Sequence, residues 1–229
     1  MKSKKNNTAR QYITRLIALN NPKSPNSEAY RTLRTNIQFA SVDRRIKTIM
    51  VTSTNHSEGK STTIANFAVV LAQAEKKVLL IDTDLRKPTI HHFFYLTNRI
   101  GLTNVLAGTE NYNSAIQNTA LPNLYVLPSG PIPPNPAELL GSKKMEKLVS
   151  ELLLAFDYIL FDAPPIIAVT DAQIMSGYLD GVLLVVSSGR TNREMAIKAK
   201  GLLENVKANV IGVVLNNKKS GENYYYYNS

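Results

Sequence analysis

The sequence contains no cysteine and few histidines, and both absences limit the chemistry that the chain can perform. With no cysteine among its 229 residues, the chain forms no disulfide bond and offers no thiolate ligand to a metal. Its three histidines, of which His91 and His92 are neighbours, provide little material for a zinc site. We therefore expect any bound metal to be held by oxygen atoms, as Mg²⁺ is.

Long hydrophobic runs are also absent from the chain. No apolar run approaches the roughly 20 residues that a membrane-spanning helix needs, and the N-terminus shows no continuous apolar signal region. These features predict a cytoplasmic protein. The 229 residues, of which 44% are hydrophobic, suffice for the core of a single α/β domain.

Acidic residues are fewer than basic ones, 17 against 27, and the formal net charge is +10. Much of the excess lies in terminal segments, at positions such as Lys2, Lys4, Lys5, Arg10 and Arg15. A basic tail is typical either of a solvated surface or of an anionic partner. Because no basic stripe interleaved with aromatic residues accompanies the charge, we expect no nucleic-acid partner. Contact with a membrane through another protein remains open.

Short apolar runs alternate with segments of helical spacing along most of the chain. The runs are rich in leucine and β-branched residues, which is typical of buried parallel strands. They cover residues 48–52, 78–81, 124–127, 158–161, 181–186 and 210–215. This alternation predicts an α/β fold with a mostly parallel, doubly wound sheet flanked by helices.

Composition divides the chain into three parts. Residues 1–27 have mixed polarity and include an Asn-Pro-Lys-Ser-Pro-Asn run, which predicts an extended N-terminal arm before a helix near Ser27. Residues 28–217 form the predicted domain. Residues 218–229 lack apolar periodicity, which predicts a flexible C-terminal tail.

A Glu-Gly-Lys-Ser-Thr run at residues 58–62 follows the first predicted strand and precedes a helical segment. Such a run is typical of a phosphate-binding loop, in which backbone N–H groups face the phosphates. Lys60 would then reach the β- and γ-phosphates, and the Ser61 hydroxyl would bind Mg²⁺. The position five residues before Gly59, where the common signature has glycine, is Thr54, so the prediction depends on its context. The predicted nucleotide-binding residues in this loop are Glu58, Gly59, Lys60, Ser61 and Thr62.

Carboxylates at the ends of two predicted strands supply that context. Asp82 and Asp84 follow the second strand on alternate residues, so in extended geometry they point the same way. Asp162 follows the fourth predicted strand. Aspartates at strand ends are also common turn formers, but in this order after the loop they favour a magnesium-nucleotide site.

Together these motifs resemble those of the bacterial tyrosine kinases that control capsule and exopolysaccharide synthesis, a branch of the MinD/ParA-type P-loop ATPases. The resemblance spans nearly the whole chain. Residues 58–62 correspond to its Walker A motif, 80–88 to its Walker A′ motif and 159–165 to its Walker B motif. A Glu-x-x-Arg-x-x-Arg element at 28–34, a proline-rich loop at 129–136 and four consecutive tyrosines at 224–227 extend the match.

The resemblance implies a P-loop NTPase-like fold, ATP and Mg²⁺ as cofactors, and a role for each polar residue of the site. Asp82 would orient or deprotonate the acceptor tyrosine, although an exchange of roles with Asp84 stays open. Asp84 and Asp162, with the Ser61 hydroxyl, would hold the metal or its waters. Arg86 is either a stabiliser of the transferring charge or a structural surface residue. Asn216 would recognise adenine, or is an ordinary turn residue.

The resemblance also implies partners. Tyr224, Tyr225, Tyr226 and Tyr227 would be autophosphorylated in trans, or they form a sticky tail of high β propensity. Glu28, Arg31 and Arg34 would join subunits into a homo-oligomeric ring, or they are a solvated, salt-bridged helix face. A membrane-bound activator, the chain-length modulator of polysaccharide export, would hold the kinase at the inner face of the membrane. Other tyrosine-containing proteins would be substrates, and a phosphatase would oppose the kinase.

Two other functions are compatible with the sequence. A MinD/ParA-type ATPase switch would hydrolyse ATP without modifying tyrosine, but such proteins carry a second lysine early in the loop, where this chain has Ser53, Thr54 and Asn55. A non-catalytic scaffold would have lost nucleotide binding through its unusual residues at 55–57.

Overall fold

The computed structural model describes residues 11–40 and 45–218, which form helices around a seven-stranded sheet. The strand order is β3-β4-β2-β5-β1-β6-β7, and every neighbouring pair is parallel except β3 and β4. The strands are β1 (Thr48–Ser53), β2 (Val78–Asp82), β3 (Gln117–Asn118), β4 (Leu124–Leu127), β5 (Tyr158–Asp162), β6 (Gly181–Ser187) and β7 (Val210–Asn216). The predicted mostly parallel sheet is thus confirmed.

All six predicted strands are present, and each begins at the predicted residue. Five of them extend one residue further than predicted, because the polar residue that ends each apolar run still pairs with its neighbour. Strand β3 was not predicted. It has two residues, neither of them buried, so it leaves no hydrophobic pattern in the sequence.

Helices cover both faces of the sheet. They are α1 (Ile17–Asn20), α2 (Pro25–Ala40), α3 (Lys60–Gln73), α4 (Ile90–Phe93), α5 (Leu102–Ala107), α6 (Tyr112–Ala115), α7 (Pro136–Leu140), α8 (Lys143–Leu152), α9 (Asp171–Ser176) and α10 (Arg193–Asn205). None in the described part of the chain is long and apolar enough to cross a bilayer.

Alternate residues of each central strand enter two separate hydrophobic layers. On β1, Met50 packs with the side chains of α8 and α9, whereas Ile49 and Val51 pack against α3. Helix α3 is almost wholly buried, and Phe67 at its centre has no exposed surface. Burial of both faces explains why the central strands are continuous apolar runs.

The N-terminal segment is not the extended arm that the sequence predicts, at least from residue 11 onward. Residues 17–20 form α1, and the Ala18 N–H donates a hydrogen bond to the Asn66 side chain at 2.9 Å. The Asn66 amide donates in turn to the Arg15 carbonyl at 2.8 Å, and Leu16 is 1% exposed. Burial against α3 overrides the polar character of the segment, whose apolar residues are too few to form a periodic pattern.

The proline-rich part of that segment agrees better with prediction. Helix α2 begins at Pro25, two residues before the predicted position. Proline is well tolerated there because the first helical N–H has no partner within a helix. The domain limits at 28 and 217 remain predictions.

Strand order brings the predicted polar residues to one edge of the sheet. Strand β5 lies between β1 and β2, and Asp162 is in register with Asp82 on one side and Val51 on the other. All three strands are parallel, so their carboxyl ends meet. The phosphate-binding loop after β1 therefore lies beside the carboxylates that follow β2 and β5.

Candidate active site

The loop between β1 and α3 has a backbone that requires glycine at one position. Gly59 has a φ of 96°, in the left-handed region that favours glycine. A Cβ atom on Gly59 would lie 2.0 Å from the Asn216 side-chain nitrogen. That nitrogen donates a hydrogen bond to the Glu58 carbonyl at 2.8 Å. Asn216, at the end of β7, thus fixes the loop backbone in addition to lining the cleft.

A buried carboxylate braces the same loop from inside. Glu58 is 5% exposed, and its side chain accepts hydrogen bonds from the Thr54 hydroxyl at 2.6 Å and the Asn55 N–H at 2.9 Å. The Thr191 hydroxyl donates a further hydrogen bond to it. Thr54, the residue that breaks the common signature, therefore has a structural partner within the loop. The Glu58 carboxylate is thus used for bracing, and Glu58 is the one predicted nucleotide-binding residue that does not line the cleft described below.

Lys60 lies between two carboxylates at the first turn of α3. Its Nζ is 2.8 Å from Asp84 Oδ2 and 3.3 Å from Asp162 Oδ1. The Ser61 hydroxyl donates to Asp162 Oδ2 at 2.6 Å. Burial lowers the pKa of Lys60, but the charges of Asp162 and Asp84 outweigh burial and raise that pKa above its ordinary value. Lys60 is consequently a fixed positive charge at the loop.

Asp82 lies beneath this group and is fully buried. Its Oδ2 accepts hydrogen bonds from the backbone N–H groups of Thr89 and Ile90 at 2.9 and 3.0 Å. Its Oδ1 is buried and has no hydrogen-bond partner among the described residues. Burial, and then the charge of Asp162, raise the pKa of Asp82 well above its ordinary value. A carboxylate with a raised pKa is a stronger proton acceptor once it is ionised.

Arg86 is paired with a carboxylate that the sequence did not reveal. Its Nε and Nη2 both donate at 2.9 Å to the two oxygens of Asp171, the first residue of α9. Asp171 is fully buried, whereas the Arg86 side chain is 41% exposed. This bidentate pair ties the loop after β2 to the segment after β5, which favours the structural interpretation of Arg86 over the catalytic one.

A cleft of about 700 Å³ opens above these groups, a volume suited to a small-molecule ligand. Residues of the phosphate-binding loop, the β2–α4 loop, the N-terminal segment and the end of β7 line it. They are Tyr12, Arg15, His56, Ser57, Gly59, Lys60, Ser61, Thr62, Asp84, Lys87, Thr89, Phe93, Arg190, Asn216 and Asn217. Most predicted nucleotide-binding residues therefore share one cavity.

The predicted metal ligands fit a magnesium ion that arrives with a nucleotide. Ser61 and Asp84 line the cleft, and Asp162 lies buried behind Ser61 and accepts its hydroxyl hydrogen bond, so that one or two carboxylates, the usual protein contribution to such an ion, are near one point. No group of three or more His, Cys, Asp or Glu side chains in residues 11–40 and 45–218 could hold a metal by itself. Phosphate oxygens would have to complete the coordination.

The remaining predicted residues lie outside the cleft. On α2, Arg31 contacts Glu28 at 2.8 Å and the Pro22 carbonyl at 2.7 Å, while Arg34 donates to the Val70 carbonyl at 3.1 Å. Each of these contacts is within the subunit. The tyrosines at 224–227 lie outside the described residues.

The fold and the site define a P-loop nucleotide-binding protein with a doubly wound sheet. The model of the AAA domain family matches residues 46–208. The chain is 55% identical to the tyrosine-protein kinase YwqD of Bacillus subtilis (strain 168), over 93% of this chain and 90% of that protein. It is 41% identical to the tyrosine-protein kinase CpsD of Streptococcus agalactiae serotype III, covering 82% and 81% of the two chains. The chain belongs to the family of bacterial tyrosine-protein kinases.

Solved structures agree with this assignment. The crystal structure of the chimerical protein CapA2B2 superposes with a TM-score of 0.88 at 42% identity, covering 90% of this chain and 91% of that chain. The septum site-determining protein MinD of Pyrococcus horikoshii, solved with Mg-ADP, has a TM-score of 0.64 at 25% identity, covering 74% and 70%. The predicted fold class and family are therefore confirmed.

Proposed function

We propose that this protein is an ATP-dependent tyrosine kinase that phosphorylates its own C-terminal tyrosines in trans and regulates capsule or exopolysaccharide synthesis. The observation that carries the proposal is the placement of Lys60 between Asp84 and Asp162, with the buried Asp82 close enough to raise the pKa of Lys60. Lys60, Ser61 and Asp84 line the cleft as a phosphate-binding cation and oxygen ligands for Mg²⁺, and the fully buried Asp162 and the proposed proton acceptor Asp82 lie behind them. Phosphoryl transfer depends mainly on such positioning and charge neutralisation.

Each residue of the group has a separate task in the transfer. The tyrosine phenol oxygen forms a new bond to the γ-phosphorus of ATP as the bond to the β,γ-bridging oxygen breaks, and ADP leaves. The phenol proton passes to the carboxylate of Asp82. Lys60 and the loop N–H groups bind the phosphates, and Ser61, Asp84 and Asp162 would hold Mg²⁺. The bound ion supplies charge neutralisation on the phosphate oxygens.

The acceptor and the assembly follow from the family resemblance. Tyr224, Tyr225, Tyr226 and Tyr227 are the acceptors, and the exposed Glu28 with Arg31 and Arg34 on α2 forms the contact of a head-to-tail ring. Such a contact delivers each tail to the next subunit. The similar CapA2B2 structure is that of a chimerical protein, which is consistent with a partner segment that joins the kinase. We place the protein in the cytoplasm, at the inner face of the membrane, through a membrane-bound activator that modulates chain length.

The test is mass spectrometry of the tail after incubation with ATP and Mg²⁺, with and without the cytosolic segment of the activator. We expect phosphotyrosine within residues 224–227. Lys60→Met should abolish it, whereas Lys147→Met, which alters a lysine whose side chain is 78% exposed on α8, should not. Replacing the four tyrosines by Phe should remove most acceptor sites and leave ATP binding intact. Wild-type protein that carries no phosphotyrosine under either condition would contradict the proposal.

A second candidate is a MinD-type ATPase switch, which the similarity to the Mg-ADP complex of MinD favours. Such a switch would release phosphate and form ATP-dependent dimers without modifying tyrosine. Phosphate release in the absence of phosphotyrosine, measured in the same reactions, would select this candidate. A scaffold without nucleotide binding would show no thermal stabilisation by ATP.

A further inference from the structure

An aromatic cluster with an adjacent cation lies at one rim of the cleft. The ring of Tyr12 stacks on His92 at a centroid distance of 5.2 Å and an interplanar angle of 24°. It meets Phe93 edge to face at 5.0 Å, and the Arg15 guanidinium carbon lies 5.2 Å from its centroid. Tyr12, Arg15 and Phe93 all line the cleft. We call these three residues the aromatic rim.

The backbone around the aromatic rim is fixed rather than loose. Asn66 of α3 holds the Arg15 carbonyl and the Ala18 N–H, and Leu16 is buried between them. Phe93 is 1% exposed at the end of α4. The Tyr12 ring is thus supported from behind by a buried ring of an element that is distant in sequence. Such support is typical of a binding site, in which the contacting residues must hold their geometry.

Position in the cleft indicates which ligand the aromatic rim would meet. Asn216, Asn217 and Arg190 belong to β7 and the loop after β6, at one edge of the sheet. The aromatic rim belongs to the other side, where α4 follows β2. If adenine binds at the β7 side, as the family resemblance implies for Asn216, the phosphates lead toward β2 and the acceptor approaches beside the aromatic rim.

The aromatic rim is also linked to the proposed proton acceptor. Asp82 Oδ2 accepts hydrogen bonds from Thr89 and Ile90, the residues that begin the segment carrying His92 and Phe93. The Tyr12 ring, which packs on Phe93, is therefore positioned relative to the carboxylate by a short, hydrogen-bonded piece of backbone. A phenol is the acceptor that needs both an aromatic surface and a nearby base.

Charge at the same rim suits the tail of a neighbouring chain. Among the described residues, neither Arg15 nor Lys87, which lies in the β2–α4 loop, takes part in an ion pair with an acidic side chain. The tail contains Lys218 and Lys219 at its start and Glu222 two residues before its tyrosines, and each phosphate added to a tyrosine contributes negative charge. Unpaired cations beside an aromatic surface complement the acidic part of this segment, which is Glu222 and a phosphorylated tyrosine.

We propose that Tyr12, Arg15 and Phe93 form the subsite that binds the acceptor tyrosine of a second copy of this chain. The proposal rests on the proposed function, because it assumes that the tail is the substrate. The N-terminal segment then determines acceptor specificity as well as completing the core.

Peptide binding tests this proposal separately from catalysis. The probe is a fluorescent peptide of residues 218–229, titrated in the presence of Mg²⁺ and a non-hydrolysable ATP analogue. The binding partner is the full chain with Tyr224 to Tyr227 replaced by Ala, so that its own tail offers no ring. We expect Tyr12→Ala to raise the peptide Kd about tenfold and Arg15→Ala to raise it about threefold. Tyr12→Phe, which keeps the ring, should stay near the parent value.

Matched controls distinguish the subsite from a merely structural segment. Tyr95→Ala alters a tyrosine that is 63% exposed and does not line the cleft, and should leave the peptide Kd unchanged. The Kd of the ATP analogue should be unchanged in every variant. An unchanged peptide Kd in Tyr12→Ala, an equal loss in Tyr95→Ala, or a parallel loss of nucleotide binding would each overturn the proposal.

Phosphorylation of the wild-type tail separates the two hypotheses. If the tail is phosphorylated but Tyr12→Ala leaves the peptide KM and Kd unchanged, the subsite is wrong and the kinase function stands. If the peptide binds through Tyr12 but no phosphotyrosine forms, the subsite stands and the kinase function is wrong.

Discussion

The Arg86–Asp171 pair predicts an asymmetric response to removal of its two partners. Asp171 is fully buried, and the Arg86 guanidinium is its sole recorded side-chain partner within the described residues. Arg86→Met leaves a buried carboxylate without its counter-ion, whereas Asp171→Ala leaves a cation that is 41% exposed and can turn to water. We therefore expect the arginine substitution to be the more harmful of the two.

The magnitude follows from burial. Breaking a fully buried pair costs about 3–5 kcal/mol, and the partial exposure of Arg86 reduces this to about 2 kcal/mol for Arg86→Met. Asp171→Ala should cost about 1.5 kcal/mol, the lower end of the net value of a hydrogen bond to a charged group. For a chain of this size, about 2 kcal/mol lowers the melting temperature by about 4–8 °C.

Urea unfolding of the two single variants and the double variant measures these values as a double-mutant cycle. The double variant should be no less stable than Arg86→Met, because it removes the stranded carboxylate as well. An Asp171→Ala variant that is less stable than Arg86→Met would refute the reasoning. Lys200→Met, which breaks an exposed pair on α10, is the control and should change stability by less than about 0.5 kcal/mol.

Three further predictions concern the loop, a histidine and the core. Gly59→Ala should weaken ATP binding at least about tenfold in calorimetry, because its Cβ would collide with Asn216 and its φ disfavours alanine; unchanged affinity would contradict the loop geometry. Burial, and then the charge of the adjacent histidine, lower the pKa of His91 from its ordinary value of 6.5 to about 4. As the pH falls, His91 is protonated in the unfolded chain before it is protonated in the folded chain. The free energy of unfolding should therefore be highest above pH 6.5 and decline toward pH 4. Urea unfolding of His91→Gln should show a smaller decline over the same range. Phe67→Ala should cost about 3–5 kcal/mol, whereas Phe39→Ala, at a side chain that is 72% exposed, should cost less than about 0.5 kcal/mol in the same assay.

Features that repeat along the sequence could be predicted from it. The six longer strands are continuous apolar runs, and their first residues were predicted correctly. The central strands are apolar because both of their faces are buried, whereas β7, at the edge, is apolar although Val213 and Leu215 are 61% and 53% exposed. The convergence of the loop with Asp82, Asp84 and Asp162 also follows, since the carboxyl ends of parallel strands share an edge.

Contacts between distant loops could not be predicted. Asp171 is 85 residues from Arg86, and nothing in its local sequence distinguishes it from an ordinary acidic residue at a helix start. The bracing of Glu58 by Thr191 spans 133 residues. The packing of the N-terminal segment depends on one asparagine of α3 rather than on a pattern of its own. Such pairs depend on tertiary geometry, which no local periodicity records.

Phosphoryl transfer from one chain to a second, distinguishable chain tests most directly the central claim that this site phosphorylates the tail tyrosines in trans. One chain carries Lys60→Met with its four tyrosines intact, and the other has an intact Lys60 with Phe at residues 224–227. After the two are mixed with ATP, Mg²⁺ and the activator segment, mass spectrometry should find phosphotyrosine at 224–227 of the Lys60→Met chain. Phosphotyrosine on wild-type protein but none on the Lys60→Met chain in the mixture would contradict trans-phosphorylation by this site.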